Sequence, residues 1–170
     1  MTDLPALLQD FHREKLAMLL RHEAGARLVR QYDVNNAYQY IINRDEVQLS
    51  WLAAAITELG GRVSDENSTE TRPPTAEPAH AFAGADADAA PRVLDEDVRE
   101  AQAFVDRWRP RVEAMTNARH RGMLRVILGE TLEQKRSFEQ ALAGRTDLLG
   151  RRAEQIGPAF GEVLPTRWIE

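Results

Sequence analysis

Apolar residues recur along this chain every three or four positions, in four blocks separated by breaks. That spacing is the mark of helices burying one face. The first block puts Leu4, Leu8, Phe11, Met18, His22, Ala26 and Val29 on one face of a helix over about 4–31. Thr2 or Asp3 can cap it, and Pro5 suits its first turn. Lys15 falls near the same face, where its stem is expected to pack while its amine reaches solvent. A second helix, over about 34–59 with Asp33 or Asn35 as cap, carries Val34, Ile41, Asp45, Gln48, Leu52 and Leu59 and stops at Gly60-Gly61.

The third helix, over about 94–117, has the stripe Leu94, Val98, Ala101, Val105, Trp108, Val112 and Met115, with no acid or histidine interrupting it. Asp95, Glu96 and Asp97 suit its positive N-terminal end. Pro110 is expected to kink this helix rather than end it, because the stripe stays in phase to Met115. The fourth, over about 119–142, carries His120, Met123, Ile127, Thr131, Gln134, Phe138 and Ala141, with Glu130 on the shoulder.

The connections fix the topology. Few residues separate the first two helices or the last two, so each pair is expected to form an antiparallel hairpin. Between the hairpins, 62–92 is rich in Ala, Pro and acids and lacks helical periodicity. It is too long for a tight turn and long enough to cross a bundle from end to end. The tail, 145–170, holds Leu148, Leu149, Ile156, Phe160, Val163, Leu164, Trp168 and Ile169, and is expected to fold back onto the bundle or onto a neighbouring subunit. The expectation is one all-α domain, a four-helix bundle of two hairpins joined by a long crossover.

Helices two and four look alike. Setting Gln48 over Gln134 brings Leu52 onto Phe138, Ala55 onto Ala141, Ile56 onto Leu142 and Asp45 onto Thr131. Both place polar residues in the middle of a buried stripe. The stretch DEVQLSWLAAAITELGG, 45–61, and the weaker match GETLEQKRSFEQAL, 129–142, resemble the ferritin-like superfamily, its rubrerythrin-like members especially. The resemblance covers about 4–143 and implies a ferritin-like bundle. In that family, helices two and four each carry Glu-x-x-His, and helices one and three each give one Glu, together holding two iron ions. Here the motif positions read Asp45/Gln48 and Thr131/Gln134, and His22 stands where the first helix would give its Glu.

The resemblance leads to two functional readings. In one, the bundle has lost the di-iron site and has a binding or structural role without a cofactor. Its old site is then a hydrogen-bonded cluster of His22, Asp45, Gln48, Thr131 and Gln134. In the other, a small rotation of the helices brings Glu23, Glu46 or Glu130 inward. The candidate ligands are then His22, Glu23, Asp45, Glu46, Gln48, Glu130 and Gln134, and the protein is an iron- or manganese-dependent oxidoreductase or iron-handling protein. A third reading makes the bundle an interaction module working through its tail.

Composition narrows the rest. With 43% apolar and 29% charged residues, the 170-residue chain reads as a soluble globular protein. A net charge of −5 argues against a general nucleic-acid or membrane-surface role. The lack of cysteine removes disulfides, thiolate metal sites, iron–sulfur clusters and thiol nucleophiles. The N-terminal stretch has no signal-peptide pattern and no apolar run is of membrane-spanning length, so a cytoplasmic location is expected. A homodimer through a bundle face or the tail is the expected assembly.

No nucleophile elbow or phosphate-cradling glycine loop is present. Arg107, Arg109, Arg111, Arg119, Arg121 and Arg125 gather around the second hairpin turn, either as a surface paired to local acids or as an anion site. His12 is expected on the side of the first helix, His80 in the linker and His120 in the second hairpin turn. Tyr32, Tyr38 and Tyr40 are expected as packing groups.

Overall fold

The computed structural model describes residues 3–63 and 89–149, and the regular structure among them is helical. The helices are α1 (Leu4–Leu28), α2 (Tyr32–Glu58), α3 (Ala89–Glu113) and α4 (Ala118–Leu142). α1 packs on α2 and α3, and α4 packs on α3 and α2, so the order around the bundle is α1, α2, α4, α3. Side-chain bonds fix the directions. Gln9 reaches the Arg62 carbonyl while Asn35 reaches that of Ala26, so α1 and α2 are antiparallel. Arg44–Glu130 and Arg119–Glu58 make α2 and α4 antiparallel as well. Arg62 therefore lies beside the start of α1, whereas Ala89 packs in the cluster around Ala26 and Val29 at its end. The two hairpins are joined from opposite ends of the bundle.

Four boundaries differ from the sequence pattern, each for a local reason. α1 stops at Leu28, because Val29 turns extended and buries its side chain between the hairpin arms. α2 opens at Tyr32 with Gln31 in the cap position; Asn35 is not its cap but donates from Nδ2 to the Ala26 carbonyl at 2.7 Å, closing the end of α1. α3 begins at Ala89, inside the stretch expected as linker, since Pro91 is tolerated in a first turn. Its far end is Glu113, three residues past Pro110, which costs the helix the one backbone bond that a residue with an N–H would have made there. α4 is capped by Asn117, whose side chain accepts from the His120 backbone N–H at 3.1 Å.

The two look-alike helices end identically. Gly60 (φ 76°) and Gly144 (φ 77°) adopt the left-handed region. The next residue in each case, Gly61 or Arg145, donates back to the carbonyl five residues earlier, Ile56 or Gln140. This is the Schellman arrangement, and it needs glycine at the left-handed residue.

The core has two apolar parts. One gathers Phe11, Phe104 and Trp108 with Leu52, Ile56, Leu124 and Ile127. The other gathers Val29, Val34, Tyr38, Ile41, Leu94 and Phe138, and Leu148 beyond α4 folds over it. Between them lies a buried polar layer. Among the described residues no helix is long and apolar enough to cross a membrane. The expectations for His80, most of the linker and the tail beyond Leu149 lie outside the described residues.

Candidate functional site

Asp45 is the centre of the polar layer. It projects from the middle of α2 with no exposed surface, and three donors from two other helices converge on it. Lys15 Nζ of α1 lies 2.7 Å from Oδ1, and Gln134 Nε2 of α4 donates to the same oxygen at 2.7 Å. His22 Nδ1 of α1 is 2.7 Å from Oδ2. An ionised carboxylate can only accept, so Nδ1 is the protonated nitrogen in this bond. The Lys15 contact is an ion pair rather than a directed hydrogen bond.

The electrostatics follow from burial. Removal from water would raise the Asp45 pKa, but the His22 bond and the Lys15 charge outweigh it and hold the carboxyl below its ordinary value. For Lys15 the balance is reversed. Burial lowers its pKa, and the neighbouring Asp45 and Glu130 carboxylates offset only part of that.

This overturns one expectation. Lys15 does not snorkel to solvent; its side chain is wholly buried. The signal was available. Lys15 has Phe11, Met18 and Leu19 on its own face, lies seven residues before His22 and so shares its side of α1, and faces a helix whose buried stripe holds a single acid. An ammonium placed in that stripe is opposite the one group able to neutralise it.

The remaining candidates divide. Gln48 is buried but turns from Asp45 to donate to Glu130, which also binds Arg44 through both carboxylate oxygens. Glu130 is half-buried at the edge of the layer, on the shoulder where the pattern put it. Thr131 is buried yet stays out of the cluster, because its hydroxyl donates to the Ile127 carbonyl of its own helix at 2.9 Å. Glu23 stays half-buried on the flank of α1, and Glu46 is exposed; neither reaches Asp45. The structure thus brings together His22, Asp45 and Gln134, adds Lys15, and sets Gln48 with Glu130 beside them. Among the described residues, the amide oxygens of Gln48 and Gln134 have no hydrogen-bond partner. Among the described residues, no three His, Asp or Glu side chains are grouped as metal ligands would be.

A second polar group adjoins the first. The α3 stripe was read as free of acids, but Asp97 is buried at 2% exposure. Tyr38 donates to it at 2.5 Å, and Arg21 reaches its other oxygen at 3.3 Å. Burial and the Asp97 charge both push the Tyr38 phenol up, so Tyr38 is a donor as well as a packing group. Asp97 escaped notice because it sits among Asp95, Glu96 and Arg99, where a surface helix end was the natural reading. The Tyr38 ring stands 6.3 Å from that of His22, with Phe138 against both.

The arginines of the second hairpin are mostly engaged. Arg107 pairs with Glu14, Arg119 with Glu58 and Arg125 with Glu113, while Arg111 lies over the Trp108 ring. His120 is buried at 5% exposure at the start of α4, and among the described residues its ring nitrogens have no hydrogen-bond partner.

Comparison with known proteins finds no matching protein family, no curated relative and no similar solved structure.

Proposed function

We propose that this chain is a ferritin-like bundle that has lost the di-iron site and has a binding or structural role. The observation that carries the reading is the ammonium of Lys15, 2.7 Å from Asp45. Where the family resemblance puts a Glu ligand, the carboxylate here already has a resident cation of the protein's own. The other three motif positions are Gln48, Thr131 and Gln134, which are neutral. Two iron ions call for several carboxylates to offset their charge, and amide oxygens are poor substitutes for imidazole.

The layer balances without a metal. Lys15 offsets Asp45, and Arg44 offsets Glu130. A divalent ion arriving at Asp45 would have to displace both the ammonium and the His22 hydrogen bond. These residues do not fit a dinuclear centre.

Elemental analysis of protein purified without a metal-affinity tag tests this, followed by thermal unfolding with Fe(II), Mn(II) or Zn(II) in excess. A ligand that binds the folded state raises the melting temperature by mass action. The expected result is no stoichiometric metal and no shift. Iron or manganese that resists dialysis, lost on His22→Ala or Asp45→Ala, would overturn the proposal and restore the oxidoreductase reading.

A further inference from the structure

Along the outer edge of the α2–α4 contact, apolar side chains stand exposed between ion pairs, with the Arg44 guanidinium over the Trp51 ring. Tyr40 (56% exposed), Val47 (38%) and Trp51 (37%) lie along it on α2, and Val126 (50%) lies on α4. Their placement follows from the ion pairs. Arg44 meets Glu130 and Glu58 meets Arg119, so the antiparallel register sets Val126 across from the Val47–Trp51 turn.

The backbone of α4 adds a second observation. Val126 stands between Gly122 and Gly129, four residues after one and three before the other. Both glycines are exposed in the helix interior, and a Cβ at either would meet nothing within 4 Å. Glycine is a poor helix former beside alanine, and no packing within the described residues accounts for either one. Bare helix backbone beside exposed Val and Trp suits close approach by another apolar segment.

Two long stretches of the chain, 64–88 and 150–170, lie outside the described residues. The stretch 64–88 has one large apolar residue, Phe82. The stretch 150–170 has six: Ile156, Phe160, Val163, Leu164, Trp168 and Ile169. The second also leaves from the right place. Leu148 is buried in the cluster that also holds Val29, Val34, Tyr38, Leu94 and Phe138, so the chain passes Leu149 at the end of the bundle where α2 begins, the end nearer to Tyr40. From Tyr40 to Trp51 the helix rises roughly 16 Å, and the few residues before Ile156 reach roughly 20 Å when extended.

We infer that the stretch 150–170 of this same chain docks along the α2–α4 edge and covers Tyr40, Val47, Trp51 and Val126. Covalent attachment gives it an effective concentration near millimolar, which a separate partner rarely matches.

The test places a photo-reactive benzoylphenylalanine at position 160 of the full chain and maps the crosslinks by mass spectrometry in an equal mixture of isotopically heavy and light protein. Crosslinks are expected within one chain, on the peptides holding Tyr40–Trp51 or Gly122–Gly129. Trp51→Ser with Val126→Asp, at exposed positions, should cut their yield several-fold without altering helix content. Heavy–light products would mean that a second copy is the occupant. Those products, crosslinks on α1 or α3, a yield unmoved by the substitutions, or no crosslink would each overturn the inference.

Discussion

Lys15 and Asp45 form an ion pair 2.7 Å long in which neither side chain has exposed surface. Breaking a buried pair by removing one member is costly, because the other charge is left in a low-dielectric interior. Lys15→Met should therefore destabilise the fold by about 3 kcal/mol, although methionine fills much the same space. Adding Asp45→Asn removes the stranded charge, so the double variant should be more stable than the sum of the single losses implies. Denaturant unfolding of the four proteins in a double-mutant cycle gives the coupling. Additive losses would mean that the pair contributes nothing as a pair.

The same carboxylate sets an acid limit. The folded state holds Asp45 below its ordinary value near 3.8, so the unfolded chain takes up that proton first as pH falls. A depressed folded pKa gives stability that is present above the unfolded value and lost as pH drops through the folded one. Stability should fall below about pH 4, and this part of the fall should be missing in Asp45→Asn. Urea midpoints for the two proteins between pH 6 and 2.5 check it; parallel curves would exclude Asp45 as a source.

Tyr38 and Asp97 make a second test. Tyr38→Phe removes the donor at 2.5 Å while leaving the ring among His22 and Phe138. A hydrogen bond to a buried charged acceptor is worth about 2 kcal/mol, and Arg21 remains to hold the other oxygen. The expected loss is therefore about 2 kcal/mol in chemical unfolding, with unchanged helix content. A neutral effect would show that Asp97 is solvated despite its burial.

The architecture was legible in the chain because apolar period, glycine stops and connection lengths agree. Asp45, Gln48, Thr131 and Gln134 were marked as buried by their place in the stripe, and all four are. Their partners were not legible. Helical phase says that a side chain faces inward, but not which of several inward groups it meets. Thr131 found its own backbone, Gln48 found Glu130, and Asp45 took an ammonium that general exposure rules assign to water. Asp97 is in phase with Ala101, Phe104 and Trp108, but its neighbours Asp95, Glu96 and Arg99 give that stretch the look of a solvated helix end.

At Gly25, α1 comes close to Val93 and Tyr38. A Cβ there would lie 3.0 Å from Val93 Cγ1 and 3.2 Å from both Cε1 and the hydroxyl of Tyr38. In open helix, glycine to alanine gains about 1 kcal/mol. At this position the neighbour must yield, and Tyr38 has little freedom to do so, being fully buried, pressed against Phe138 and bonded to Asp97. Overpacking of this kind costs about 1–3 kcal/mol, which exceeds the propensity gain. Gly25→Ala should therefore lower the melting temperature of the wild-type protein. In a Tyr38→Phe background, where the hydroxyl contact and the Asp97 tether are gone, the ring can shift and the same substitution should cost less. Thermal unfolding of both backgrounds decides it, and an equal penalty in each would place the strain on Val93 rather than on Tyr38.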